Sequence, residues 1–261
     1  MTEINFQSGY SDVNGLKMYY EIHGQGKPLV LIHGGGSTIY TTFGRIIPLL
    51  AKHRQVIGVE LQAHGHTNDR DTDFTFEQDA NDVATFLKNL NIPKADMLGF
   101  SNGGQTVMEI AMRYPQLVNK IIVASAFFKR NAAAPQFWEG FDKATLTDMP
   151  EILREAYLTA NNDAKGLLNM FNKDVQRMKT FRDWTDEQMK MIQAPALVIN
   201  GNRDVGSAEH AVEMYRIIPN CELAIFPGGH GDYLGAIESL DNGRWKQFNA
   251  TALIEEFLDK S

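Results

Sequence analysis

The sequence predicts an α/β protein. It should have a mostly parallel sheet with an antiparallel N-terminal hairpin, helices on both faces and a helical insertion. Three observations carry this. Short apolar runs alternate with helix-like segments along most of the chain. Asn14-Gly15 near the start suits a type I′ hairpin turn, because both residues tolerate positive φ. From about 125 to 193 the alternation stops and only helical patterns remain.

Taken in order, the hairpin arms are Gln7–Val13 and Leu16–His23. Leu29-Val30-Leu31-Ile32 is an apolar run of the kind buried on both faces of a parallel sheet. It ends at His33-Gly34-Gly35-Gly36. Arg45–Lys52 reads as a helix and Val56–Val59 as a strand. Thr75 and Gln78 form a capping-box pattern that opens a helix to about Leu90. Strand 95–99, helix 102–114 and strand Lys120–Ala124 follow. Within 125–193 the helical segments are Pro150–Thr159, Ala164–Met178 and Thr185–Met191, the last with a Thr-x-x-Gln box. Strand Ala196–Asn200, helix Ser207–Ile217, strand Glu222–Phe226 and helix Thr251–Lys260 complete the chain, which reads as one domain over 1–261.

Composition bounds the function. The 261 residues are 43 % hydrophobic and 22 % charged, ordinary for a globular protein. A net charge of −7 with no long basic run argues against nucleic acid. No apolar stretch approaches a membrane span. Met1–Tyr10 is polar and lacks the apolar segment of a signal peptide, so a cytoplasmic location is expected. The lone Cys221 excludes an internal disulfide. Asn249-Ala250-Thr251 fits a glycosylation pattern but reads as a helix start.

The stretch Gly99-Phe100-Ser101-Asn102-Gly103 falls where a strand turns into a helix. A serine between small residues there has two readings. It is a nucleophile pushed out of the sheet by a tight turn, or a serine that merely caps the helix. The helix start also offers N–H groups to a developing negative charge.

These residues resemble the nucleophile elbow of α/β-hydrolase-fold serine hydrolases of the esterase and lactonase kind, and the resemblance spans about Leu16 to Lys260. It implies a Ser, Asp, His order along the chain. Asp204, after the strand Ala196–Asn200, stands in the family's Gly-x-x-Asp position. His230 follows the strand that ends at Phe226. The His33–Gly36 run occupies the oxyanion-loop position. The resemblance assigns the oxyanion donors to the N–H groups of Gly35 (Gly36 as the alternative) and Asn102. His33 itself reads as a loop-ordering residue. Asp232 is too close in sequence to orient His230, and Glu209 and Glu213 read as a solvated helix face.

Competing motifs are weaker. His64-Gly65-His66 looks like the start of a zinc-hydrolase motif, but Asn68 and Asp69 stand where further ligands belong. The same stretch, Glu60 to Thr67, sits at the family's loop after the fourth strand, with Glu60 and Ala63 departing from its pattern. No phosphate-loop or dinucleotide fingerprint is present. The aromatic residues Phe127, Phe128, Phe137 and Trp138 either line an acyl pocket or pack the insertion onto the core.

The resulting expectation is a Ser101, His230, Asp204 hydrolase acting on a small-molecule ester, lactone or thioester, with neither metal nor cofactor. A binding protein, a perhydrolase, an acyltransferase or a carbon–carbon bond hydrolase would share the same residues.

Overall fold

The computed structural model describes residues 6–240, 243–245 and 249–260. Residues 1–5 of the polar start thus lie outside the described part.

The hairpin forms as expected. Strands β1 (Phe6–Val13) and β2 (Leu16–His23) pair antiparallel around Asn14 and Gly15, whose φ angles are +47° and +87°. Next come β3 (Pro28–Ile32), helices α1 (Ile39–Phe43) and α2 (Ile47–Leu50), and strand β4 (Gln55–Val59). The helix expected over 45–52 is thus shorter. The sequence pattern gives no sign of α1, a single turn fixed by a reciprocal capping box between Thr38 and Thr41.

Helix α3 (Phe76–Asn89) turns Phe76, Ala80, Val83, Phe86 and Leu87 inward at helical spacing. Its capping box is half-formed. Thr75 accepts the N–H of Gln78, but the Gln78 side chain donates to Asp82 instead. Strand β5 (Ala95–Phe100), helix α4 (Asn102–Arg113) and strand β6 (Val118–Ala124) follow.

Between β6 and β7 (Ala196–Gly201) lie α5 (Pro135–Lys143), α6 (Glu151–Asn161), α7 (Ala164–Thr180) and α8 (Asp186–Lys190). Helix α8 carries the complete Thr185–Gln188 capping box. It returns to the core, where Met189 is fully buried with the residues of α4 and β6. Helix α9 (Ala208–Ile217), β8 (Cys221–Phe226) and α10 (Thr251–Asp259) end the chain.

The eight strands form one sheet in the order β1-β2-β4-β3-β5-β6-β7-β8, parallel from β4 to β8. Both faces are covered, so Leu29, Val30, Leu31 and Ile32 are all buried. Each contributes roughly 1.5–3 kcal/mol by leaving water. The chain passes from β3 to β4 on one side and then to β5 on the other. At such a reversal the loops leaving the carboxyl ends of β3 and β5 diverge and open a crevice. Ser101 and the His33–Gly36 run lie at these two ends.

Candidate active site

Ser101 joins β5 to α4 with φ +53° and ψ −124°, a conformation that L-residues rarely adopt. Its neighbours explain how the turn closes. A Cβ on Gly99 would lie 2.0 Å from the Gly103 carbonyl oxygen, and one on Gly103 would lie 2.1 Å from the Ile32 carbonyl oxygen. Only glycine fits either place. The Ser101 N–H is fixed to the Ala124 carbonyl at 2.9 Å. Although Ser101 stands at the N-cap, its side chain caps no helix N–H. The hydroxyl therefore does not perform the capping that the alternative reading required, and Ser101 lines a cavity instead.

Asp204 and His230 come from the loops after β7 and β8. His230 Nδ1 and Asp204 Oδ1 are 2.6 Å apart. The carboxylate takes three further donors: the N–H of Val205 at 2.8 Å, the N–H of Gly201 at 3.0 Å and the Ser125 hydroxyl at 2.5 Å. Burial opposes its charge, but the hydrogen bond and charge of His230, then Ser125 and Gly201, hold the carboxyl below its ordinary value. Ser125 in turn meets the buried Tyr233 hydroxyl at 2.6 Å. Sequence reasoning passed over both Ser125 and Tyr233. The Phe100 ring lies 4.6 Å from the His230 ring. His230 and Ser101 share the cavity wall, and no hydrogen bond joins them in this structure. Asp232 accepts the Gly229 N–H at 2.7 Å, while the His230 ring meets Asp204.

The loop after β3 is tied down from several sides. His33 is buried. Its Nε2 accepts the Leu61 N–H at 3.1 Å and its Nδ1 faces the Gly34 carbonyl at 2.7 Å. Burial and the neighbouring His64 push its pKa down to about 3, so the ring is neutral. Gly34 and Gly35 approach the elbow closely: an added Cβ would lie 3.1 Å from Ser101 Cβ or 2.6 Å from Asn102 Nδ2. Gly36 has φ +65°, and its N–H donates to Asp174 Oδ2 at 2.7 Å, with His64 Nε2 at 3.2 Å. The N–H of Gly35 has no acceptor among the described residues.

Asp174 belongs to α7, and nothing in the sequence marked it. Its Oδ2 lies 3.0 Å from His64 Nε2, and Arg177 donates to its Oδ1 at 2.5 Å. Arg177 also donates to Asp79 on α3 at 2.8 Å. Burial would raise the Asp174 pKa, but His64 and Arg177 outweigh it and hold the carboxyl well below the carboxylate range. This buried chain of charges pins an inserted helix to the loop after β3 and to α3.

The two histidines of the His64-Gly65-His66 stretch face different carboxylates. His64 meets Asp174 and the Gln62 carbonyl, whereas His66 meets Glu60. Among the described residues no cluster of three or more His, Cys, Asp or Glu is arranged to hold a metal. Glu213 is not a purely solvated residue, since it binds Lys129 and His210. Cys221 opens β8, and burial pushes its thiol up to about 12. No described helix is long and apolar enough to cross a membrane.

The cavity has a volume of about 630 Å³ and reaches from Ser101 and His230 beneath the inserted helices. Phe127, Phe128, Phe137 and Trp138 divide between the two roles expected of them, and Phe141 joins the cavity wall. Phe127, Phe137 and Phe141 line the cavity, while Phe128 is buried in the core and Trp138 stacks on Phe181 and Arg130.

Comparisons with known proteins agree with this architecture. The model of a family described as the alpha/beta hydrolase fold matches residues 27–168. The human serine hydrolase BPHL is 27 % identical, over 83 % of this chain and 77 % of its own. A serine hydrolase involved in carbazole degradation superposes with a TM-score of 0.79 at 22 % identity, covering 97 % of this chain and 99 % of its own. The enol-lactonase of Burkholderia xenovorans does so with a TM-score of 0.76 at 19 % identity, covering 96 % and 100 %.

Proposed function

The chain is a hydrolase of the α/β hydrolase fold family, and from that premise we propose that it cleaves a carboxylic ester or related acyl bond of a small molecule through an acyl-Ser101 intermediate. One observation carries the reading. The Asp204–His230 pair stands at the same cavity as a serine that is strained outward and caps nothing.

Asp204 holds the His230 ring by Nδ1, which leaves Nε2 for the serine proton. Substrate binding brings the hydroxyl and imidazole together, a contact that often tightens only in the complex. His230 takes the proton as Ser101 Oγ attacks the carbonyl. The oxyanion forms against the N–H groups of Gly35 and Asn102. Gly35 is preferred over Gly36 because the Gly36 N–H is already held by Asp174. His230 returns the proton to the leaving group, and the acyl-enzyme forms. Water then gives a proton to His230 and its oxygen to the acyl carbon, and His230 passes that proton to Ser101 Oγ as the acyl–Oγ bond breaks and the acid departs. Each proton is carried by Ser101, His230 or water, so the cycle draws on neither metal nor cofactor.

The serine-hydrolase and lactonase names of the relatives support an acyl substrate. Wild type is expected to hydrolyse p-nitrophenyl acetate, with Ser101→Ala reduced to background and a chelator without effect. Full activity in Ser101→Ala would assign the nucleophile elsewhere, and inhibition by the chelator would favour the metal alternative.

A further inference from the structure

Two buried positions behind Asp204 carry a hydroxyl where a plainer residue would suit the fold. Ser125 follows β6 at φ +51°, a conformation that glycine adopts freely and serine rarely. Tyr233 is 1 % exposed and stacks on Phe226 with ring centroids 5.5 Å apart. Phenylalanine would pack there in the same way. Neither residue lines the cavity, so no ligand meets these hydroxyls. What they do meet is the carboxylate of Asp204 and each other.

The direction of each hydrogen bond follows from counting protons. The Asp204 side chain is fully buried, and an ionised carboxylate only accepts. Ser125 has one hydroxyl proton, and at 2.5 Å from Asp204 Oδ2 that proton points to the carboxylate. Ser125 Oγ therefore accepts from the Tyr233 hydroxyl at 2.6 Å, which is closer to it than to the Ile199 carbonyl at 3.2 Å. The order is Tyr233 to Ser125 to Asp204, and the other carboxylate oxygen faces His230 Nδ1. We infer that Tyr233 and Ser125 are positioning residues, a two-hydroxyl relay that draws the charge of Asp204 toward Oδ2 and so limits how strongly it holds the His230 imidazolium. A hydroxyl donates more strongly when it also accepts, so Tyr233 acts through Ser125. Without the relay, more negative charge faces His230 and its protonated form is favoured. Only the neutral ring can take the Ser101 proton, so the acid limb of the activity profile should move to higher pH.

This inference rests on the acyl-Ser101 reading, and the experiment separates the two. The kcat/KM of p-nitrophenyl acetate is measured across the pH range in wild type, Ser125→Ala, Tyr233→Phe and the double variant. Other charged groups near His230 are Glu238, Asp232 on its own loop, and Lys143, Asp148 and Asp174 on the cavity wall. Neither substitution alters them, so a shift belongs to the relay. The acid limb should rise by about half a unit to one unit in Ser125→Ala. In Tyr233→Phe it should rise by roughly a third as much, and the double variant should match Ser125→Ala alone. Tyr233→Phe removes one atom and keeps the test open where Ser125→Ala fails to fold. A limb that stays or falls in either folded variant, or a Tyr233→Phe shift that persists when position 125 is alanine, overturns the relay and leaves Ser101 untouched. Absence of a fluorophosphonate adduct on Ser101 in folded wild type, or turnover that survives in Ser101→Ala, overturns the acyl-serine reading and this inference with it.

Discussion

Ser101 is held in a backbone conformation that costs about 1–3 kcal/mol, and the strain is tolerated because its neighbours leave no alternative. Gly103 is one such constraint, since any Cβ there collides with the Ile32 carbonyl at the end of β3. Gly103→Ala should therefore destabilise the fold by about 1–3 kcal/mol or more, read by urea unfolding. A stability equal to wild type would show that the elbow has more room. At Asp204 the expected effect is chemical. Asp204→Asn should keep the fold but lower kcat/KM by roughly 10³–10⁴-fold, because the ring is then held in the wrong tautomer. Ser125→Ala removes one of four donors to the same carboxylate, and a loss nearer tenfold is expected. The candidate residues Ser101, Asp204 and His230 could be proposed from the sequence because each follows a strand in the chain order that the family resemblance implies. Ser125 could not, since an alanine-rich strand end gives a lone polar residue no local signature.

Helices contribute unequally. The sheet and its covering helices could be read from apolar periodicity, as with the inward residues of α3. Helix α1 is one turn long, too short for periodicity to register. Helix α7 was recognised as a helix, but which of its polar residues face inward depends on how the insertion docks. That is a tertiary fact, and it hid Asp174 and Arg177. Through the Gly36 N–H, Asp174 holds the turn beside Gly35, whose N–H has no acceptor among the described residues. Asp174→Ala should therefore lower kcat by roughly 10²-fold, the size of one oxyanion donor, with a smaller change in KM. A change confined to KM would show that α7 shapes the pocket without setting the loop.

The whole molecule carries a pH signature. Asp174 and Asp204 are held below their ordinary value of 3.8, so their ionised forms favour the folded chain. That stabilisation is complete above the unfolded value and is lost as the pH falls through the lower folded ones. Asp79 acts with the opposite sign. Burial raises it to about 6 against the pull of Arg177, so the folded chain binds its proton more tightly than the unfolded chain does. Its contribution to stability therefore declines as the pH rises from 3.8 to about 6. Asp79→Asn should flatten the fall in Tm between about pH 4 and about pH 6, and an unchanged slope would place the proton elsewhere.

A reversal in strand order opens a crevice, and loops from β5, β7 and β8 bring Ser101, Asp204 and His230 to it. The most direct measurement is peptide mapping by mass spectrometry after reaction with a fluorophosphonate. A single adduct on Ser101 is expected, absent in Ser101→Ala and greatly slowed in His230→Ala. An unmodified Ser101 in folded protein, or an adduct that forms as fast without His230, would contradict it.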